Sequence, residues 1–299
     1  MTVQFGNPDR PNSYIGKTVP RPNAARLVEG RGKYVDDIVL PRMVHVAFVR
    51  SPFAHAKIEE IETSDAAAVK GVVRVFTGAD LAEVCTPWVA VLAHLKGLKS
   101  PPEHPMAVDR ACWVGEPVVA VVATSRAAAE DGAELVEVDY EQLPVVTDMM
   151  SALDPDTPVL HPEMGDNLAF QRVNEEGDID AAFAGAHKVV SAQFSTARHT
   201  GVTLEPRSIL VDWNPAETQM TAYHATQAPH MMQTVLAKHL DLPESRVRVI
   251  CGDVGGSYGI KVHVYPDEVA TAAIAKIMGR PVKFIADRRH FDIVSILCR

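Results

Sequence analysis

The sequence predicts an α+β fold shared between two domains. Three observations carry this expectation. Short β-branched runs recur along the chain, helical stretches fall unevenly among them, and a stretch rich in Pro and Asp interrupts the middle. A length of 299 residues accommodates two domains and a sizeable core.

The elements follow in order. Residues 1–26 are polar, contain Pro11, Pro20 and Pro22, and read as an extended arm. Residues 43–50 alternate apolar and polar side chains and predict a strand, as do 57–62 and the β-branched 71–77. Thr77 then caps a short helical turn through Leu81. Residues 117–124 (PVVAVVAT) form a nearly continuous apolar run, as a strand covered on both faces requires. Ser125 is a good N-cap for a helix over 126–135, and 136–140 alternates like another strand, so this span predicts a small α/β layer. Residues 147–165, with Pro155, Pro158 and Pro162, read as a linker.

In the second half, 188–195 (KVVSAQFS) predicts a strand, and 209–213 and 220–224 predict a hairpin about the turn residues Asn214-Pro215-Ala216-Glu217. Residues 229–240 fit an amphipathic helix with Pro in its first turn. A strand over 246–250 leads into a glycine-rich loop. An Ala-rich helix over 267–278 ends at Gly279, and a last strand spans 281–286.

The bulk numbers exclude some functions. A formal net charge of −9 repels phosphate backbones and argues against nucleic acid. No apolar run is long enough to span a bilayer, and the first residues carry no secretory pattern, so the expected location is cytoplasmic. Cys85, Cys112, Cys251 and Cys298 form no C-x-x-C pair, which argues against zinc and iron–sulfur sites in this chain. All four read as small buried hydrophobes.

The loop Gly252-Asp253-Val254-Gly255-Gly256-Ser257-Tyr258-Gly259 is the most informative stretch. It follows a strand, and its glycines allow close approach to backbone N–H groups. It has neither the G-x-G-x-x-G register nor a G-K-[ST] ending, so a nucleotide cradle is disfavoured. Physics alone leaves two readings open, a glycine turn beside a ligand or a bend packed on its own domain. Gln227 stands just before the helix start at Pro229. Its amide could donate to a ligand oxygen, but spacing alone favours a cap on its own helix. Glu205, two residues from Arg207, reads as an ion-pair partner of that Arg, with a base role weakly supported. His199, His224 and His230 lack i,i+4 spacing and an H-E-x-x-H motif, so metal ligation by side chains is not expected.

Taken together, several words resemble one family in its own order. They are Gly30-Arg31-Gly32-Lys33-Tyr34-Val35-Asp36-Asp37-Ile38, Arg50-Ser51-Pro52-Phe53-Ala54-His55-Ala56-Lys57-Ile58, Val114-Gly115-Glu116-Pro117-Val118, Leu204-Glu205-Pro206-Arg207, Thr226-Gln227-Ala228-Pro229-His230 and the loop from Gly255 to Lys261. The chain resembles the front part of the molybdenum hydroxylase large subunit, the family of xanthine dehydrogenase, aldehyde oxidase and carbon monoxide dehydrogenase. The resemblance implies an α/β hammerhead domain at 27–148, a linker at 149–165, and at 166–299 the first part of an α+β molybdopterin-binding domain.

It further implies that the metal is held by the pterin dithiolene and by no protein side chain. Gln227 would hydrogen-bond a molybdenum oxo group. Gly255, Gly256, Ser257 and Gly259 would pass close to the cofactor, and Tyr258 would border the metal and substrate pocket. The implied cofactor is molybdopterin, as its cytosine dinucleotide. Iron–sulfur clusters and FAD would sit on partner subunits, and water would supply the oxygen inserted into an aldehyde, N-heterocycle or CO-like substrate. Ser257 and Tyr258 stand where Gly and Phe are usual. Val262 follows Lys261 where purine hydroxylases carry a Glu, which makes xanthine less suitable and bacterial carbon monoxide dehydrogenase-like members closer. The family's large subunit is much longer, so the remainder, with its general base, is expected on a partner polypeptide. The competing expectation is a truncated, non-catalytic module that serves only as a folded interaction domain.

Overall fold

The computed structural model describes residue 14 and residues 17–88, 95–196 and 200–288. Most of the expected N-terminal arm, His199 and Cys298 lie outside the described residues. The chain runs through α1 (Ala24–Val28), β1 (Val44–Arg50), β2 (Ala56–Glu62), α2 (Ser64–Ala68), β3 (Val72–Thr77), α3 (Gly78–Ala82), β4 (Arg110–Ala111), β5 (Pro117–Ala123) and α4 (Arg126–Ala133). It continues through β6 (Glu137–Gln142), α5 (Ile179–Ala184), β7 (Ser208–Asn214), β8 (Gln219–His224), α6 (Pro229–His239), β9 (Val247–Ile250), α7 (Pro266–Met278) and β10 (Val282–Ile285).

Two mixed or antiparallel sheets organise these elements. One has seven strands in the order β3-β5-β1-β10-β7-β8-β9, the other three in the order β4-β2-β6. The larger sheet draws strands from both halves of the chain, because β1 pairs in parallel with β10 (Val44↔Val282, His45↔Lys283). Every residue of β5 is buried. Alternate side chains explain why. Ala120 and Val122 enter the main core with α6 and α7, whereas Val119 and Val121 enter a second core against β2, α4 and β6. The expected α/β layer divides at this point. β5 stays in the large sheet, while β6 pairs with β2. β6 is half exposed and presents Glu137, Asp139 and Glu141, which a strand covered on both faces could not bury.

Local chemistry sets the helix ends. The Thr77 N–H donates to Asp80 Oδ2 (2.7 Å), and Ser125 Oγ accepts from the Ala128 N–H (3.2 Å). Gly279 ends α7 in the left-handed region. α7 is buried from Pro266 to Ala275, including Asp267 and Glu268. Those carboxylates meet a buried cluster. Arg207 bonds Asp267 through both guanidinium arms (2.8 and 2.7 Å) and reaches Glu268 (3.0 Å). Arg50 bonds Asp267 (2.7 Å), and His224 Nε2 lies 3.1 Å from Glu268. The Arg207 guanidinium also stacks on Tyr265, 3.8 Å from the ring centroid. Thus β1, the residue just before β7 and α7 are tied by charge as well as by apolar packing, and β8 joins them through His224.

The strand expected at 188–195 does not form. Its residues lie exposed and pair with nothing described. The short helices α1, α2 and α5 and the two-residue β4 fall outside the sequence expectations. Among the described residues no helix is long and apolar enough to cross a membrane.

Candidate functional site at the ends of two parallel strands

β8, α6 and β9 form a strand–helix–strand unit in which β8 and β9 run parallel, with Tyr223 opposite Ile250. Their carboxyl ends therefore finish side by side. Residues 225–228 leave one end and the glycine loop leaves the other, so topology alone brings Gln227 and the loop together.

The contacts are direct. The Gly259 N–H donates to Gln227 Oε1 (3.1 Å), and the Gln227 N–H donates to the Lys261 carbonyl (2.9 Å). Thr226 Oγ1 donates to that same carbonyl (3.1 Å) and accepts from the Ala228 N–H (3.0 Å). The amide expected to cap its own helix instead reaches across to the loop. Its Nε2 group is exposed and has no hydrogen bond to any described residue. No side chain caps α6, so its first-turn N–H groups stand beside Gln227 with the positive end of the helix dipole.

The loop is gripped from two sides. On one side Glu205 and Gly255 exchange hydrogen bonds: the Gly255 N–H donates to Glu205 Oε2 (2.7 Å), and the Glu205 N–H donates to the Gly255 carbonyl (3.1 Å). A Cβ on Gly255 would lie 2.5 Å from Glu205 Cβ, so this approach requires glycine. Lys261 Nζ, fully buried, donates to Glu205 Oε2 (2.8 Å). Burial pulls the Lys261 amine below its ordinary range, and the pair with Glu205 opposes that pull. Glu205 Oε1 is buried without a described partner. The expected Glu205–Arg207 ion pair is thus replaced by Glu205–Lys261, and Arg207 turns to Asp267 and Glu268.

On the other side, Arg26 holds Asp253 through both carboxylate oxygens (2.7 and 2.6 Å), and the Lys33 N–H adds a third bond (2.8 Å). The hydrogen bond from Arg26 is the main reason the Asp253 carboxyl sits down at about 2. Gly256 and Gly259 occupy the left-handed region at φ 97° and 89°, and Tyr258 does so at 48° with a side chain 75% exposed. Such a φ is uncommon for an aromatic residue and fixes where Tyr258 projects. The Ser257 carbonyl accepts from the Ile260 N–H (3.0 Å), tightening the turn.

The structure therefore brings Gln227, Gly255, Gly256, Ser257, Tyr258 and Gly259 into one region. It leaves His224 buried against Glu268 and His230 exposed on α6. Cys85 is buried, with its thiol pushed up to about 12 by burial. Cys112 is partly covered. Cys251 departs from the expected burial, because it lies exposed with its thiol donating to the Thr226 carbonyl (3.1 Å). Sequence reasoning missed Lys261, Arg26 and Asp253 as supports. Their partners lie 56 residues away for Lys261 and 227 for Arg26, and no local pattern points to them.

The fold agrees with what is found in known proteins. The aldehyde oxidase and xanthine dehydrogenase a/b hammerhead domain matches residues 29–144, and the molybdopterin cofactor-binding domain matches residues 160–295. The chain belongs to the molybdenum hydroxylase large-subunit family. The chain is 40% identical over 286 residues to the nicotine 6-hydroxylase large subunit of Paenarthrobacter nicotinovorans, covering 96% of itself and 35% of that protein. It is 34% identical over 277 residues to the carbon monoxide dehydrogenase large chain of Hydrogenophaga pseudoflava, covering 88% of itself and 34% of that protein. The crystal structure of quinoline 2-oxidoreductase from Pseudomonas putida 86 superposes with a TM-score of 0.87 at 37% identity, covering 92% of this chain and 35% of that one. The chain thus spans about a third of the length of the relatives it matches.

The residues present fit a molybdopterin cofactor. An amide whose Nε2 has no partner among the described residues, an uncapped helix start and a glycine turn converge there, which suits an electronegative, oxygen-rich group. Among the described residues no group of three or more His, Cys, Asp and Glu could hold a metal ion directly.

Proposed function

We propose that this chain is the molybdopterin-binding part of a hydroxylase large subunit, acting on an aldehyde, N-heterocycle or CO-like small molecule. The observation that carries this reading is the bond from the Gly259 N–H to Gln227 Oε1, which orients the Gln227 amide while leaving Nε2 free to donate. When bound, the cofactor supplies the two-electron chemistry that hydroxylates substrate with oxygen from water. Gln227 Nε2 then donates to an electronegative atom of that group. The N–H groups around Gly255, Gly256, Ser257 and Gly259 line its approach, and Tyr258 borders the substrate. Glu205 and Lys261 set the height of the loop without touching substrate.

The similarity to proteins named as large subunits supports further partners: the rest of the large subunit, an iron–sulfur subunit and a FAD subunit. The cofactor is assigned as the cytosine dinucleotide form. A complex with the rest of the large subunit should contain molybdenum and a pterin by metal analysis and mass spectrometry, and its absence from a stable complex would end this reading. Gln227→Ala in that complex should lower turnover about 10²–10³-fold, as loss of one positioned donor does elsewhere, with assembly and pterin content intact. Unchanged turnover would remove Gln227 from the site.

A further inference from the structure

The first half of the glycine loop rests on the N-terminal segment. Apart from the neighbouring Cys251 thiol, every hydrogen bond of Gly252, Asp253 and Val254 to a described residue runs to residues 26–33. Arg26 supplies two bonds to the Asp253 carboxylate and the Lys33 N–H a third, while the Asp253 N–H donates to the Lys33 carbonyl (3.3 Å). Arg26 is braced for this task. Its Nη1 also donates to the Arg31 carbonyl (2.9 Å), the Arg31 N–H donates back to the Arg26 carbonyl (3.0 Å), and Gly30 makes the turn at φ 70°. From Gly255 onward the loop has other supports, in Glu205 and Gln227.

α1, which carries Arg26, does little else. None of its residues is buried, and none joins a hydrophobic core. A helix of five residues has little stability of its own. The matched hammerhead domain starts at residue 29, beyond Arg26. The residues that follow nevertheless tie the loop to the other half of the site. Val35 packs in a small core with Leu210 and Ala225, and Ala225 stands two residues before Gln227. The frame that carries Asp253 therefore also carries the approach to Gln227.

We propose that Arg26 is a positioning residue: by holding Asp253 against the Lys33 backbone it fixes the entrance of the glycine loop, and with it the spacing between the loop and the Gln227 amide. Arg26 touches neither cofactor nor substrate and acts through Asp253 alone. A forked guanidinium–carboxylate pair suits this role, because two parallel bonds fix direction as well as distance. A partly exposed ion pair adds little to global stability, so its effect is local to the loop. The effect on turnover rests on the functional reading above; the effect on the loop does not.

The test is hydrogen exchange read by NMR on the full chain, labelled with nitrogen-15 at glycine. The Gly255 and Gly259 amides, both hydrogen-bonded in the loop, report on it, and Gly132, buried in α4, serves as the control. Arg26→Gln should speed exchange at Gly255 and Gly259 about tenfold or more, with Gly132 and the thermal midpoint unchanged. Arg26→Lys keeps the charge without the fork and should fall between Arg26→Gln and the unaltered chain. Asp253→Asn should match Arg26→Gln, and the two changes together should be no worse than either, since the pair acts as one unit. Unchanged exchange at Gly255 and Gly259 overturns the proposal, because the loop would then be holding the arm. Acceleration that extends to Gly132 with a lowered midpoint also overturns it, as does a double variant whose effects add.

In the complex that contains molybdenum and pterin, Arg26→Gln should lower kcat about 10–100-fold with KM little changed, and Arg26→Lys should recover part of the loss. Unchanged kcat there, with Gly255 and Gly259 loosened, overturns the proposal too. A complex lacking molybdenum or pterin defeats the functional reading instead, and the exchange measurements on the chain then decide this one by themselves.

Discussion

Lys261 is a buried cation answered by a single carboxylate. Its Nζ is fully buried and bonds Glu205 Oε2 (2.8 Å), and Glu205 also holds the Gly255 N–H. Removing one member of such a pair strands the other. Lys261→Met should therefore cost about 3–5 kcal/mol of stability, and combining it with Glu205→Gln should recover most of that loss. Chemical denaturation of the two single variants and the double variant checks this. A single-variant loss below about 0.5 kcal/mol would mean that the pair does not support the loop. Residue-scale chemistry was partly legible in the sequence. The glycines of 255–259 stood out because glycines in a row are a local signal, whereas the spacing of Gln227 favoured a cap on its own helix and only the family resemblance gave it a role in the site. The Lys261–Glu205 and Arg26–Asp253 pairs were not legible, because only the folded topology brings their members together. Cys251 also escaped, since nothing local tells an exposed thiol at a strand end from a buried one.

Elements that bury both faces were read most securely. β5 and α7 are apolar for nearly their whole length, and their windows matched the structure closely. β6 was found as a strand but assigned to the wrong layer, because alternation reveals that one face is exposed without revealing which sheet receives the strand. The run 188–195 failed for a different reason: a strand needs a neighbour, and the sequence pattern does not supply one. The turn that joins β4 to β5 carries a further consequence. Burial pushes the Glu116 carboxyl up to about 8, although the Cys112 N–H donates to it (2.5 Å). Its folded pKa is raised, so the proton it retains stabilises the fold below about 4.5, and that contribution is lost as pH rises towards about 8. Urea midpoints should fall between pH 5 and pH 8, and Glu116→Gln should flatten that fall. An equal slope in the variant would place the pH dependence elsewhere.

At the scale of the whole molecule, the seven-stranded sheet and the buried charges link the two halves. Arg50 comes from β1, Arg207 immediately precedes β7, and both meet on Asp267 of α7. Arg207→Met leaves Asp267 and Glu268 short of a cation and should cost about 3–5 kcal/mol. The loss should appear as one transition, with fluorescence of Trp113 in the first half and Trp213 in the second moving together; separate midpoints would show that the halves unfold independently. The α+β class was legible from the mixture of runs. The joining of both halves into a single sheet was not, because the β1–β10 pairing spans nearly the whole chain.

That pairing also shapes how the protein is made. Val44 must wait for Val282, about 240 residues later. At roughly 5–20 residues per second on the ribosome, the interval is on the order of 10–50 s. β5 can cover one edge of β1 early, but the other edge stays open until β10 emerges. Chaperones that recognise exposed strand edges thus have a long window in which to hold this nascent chain.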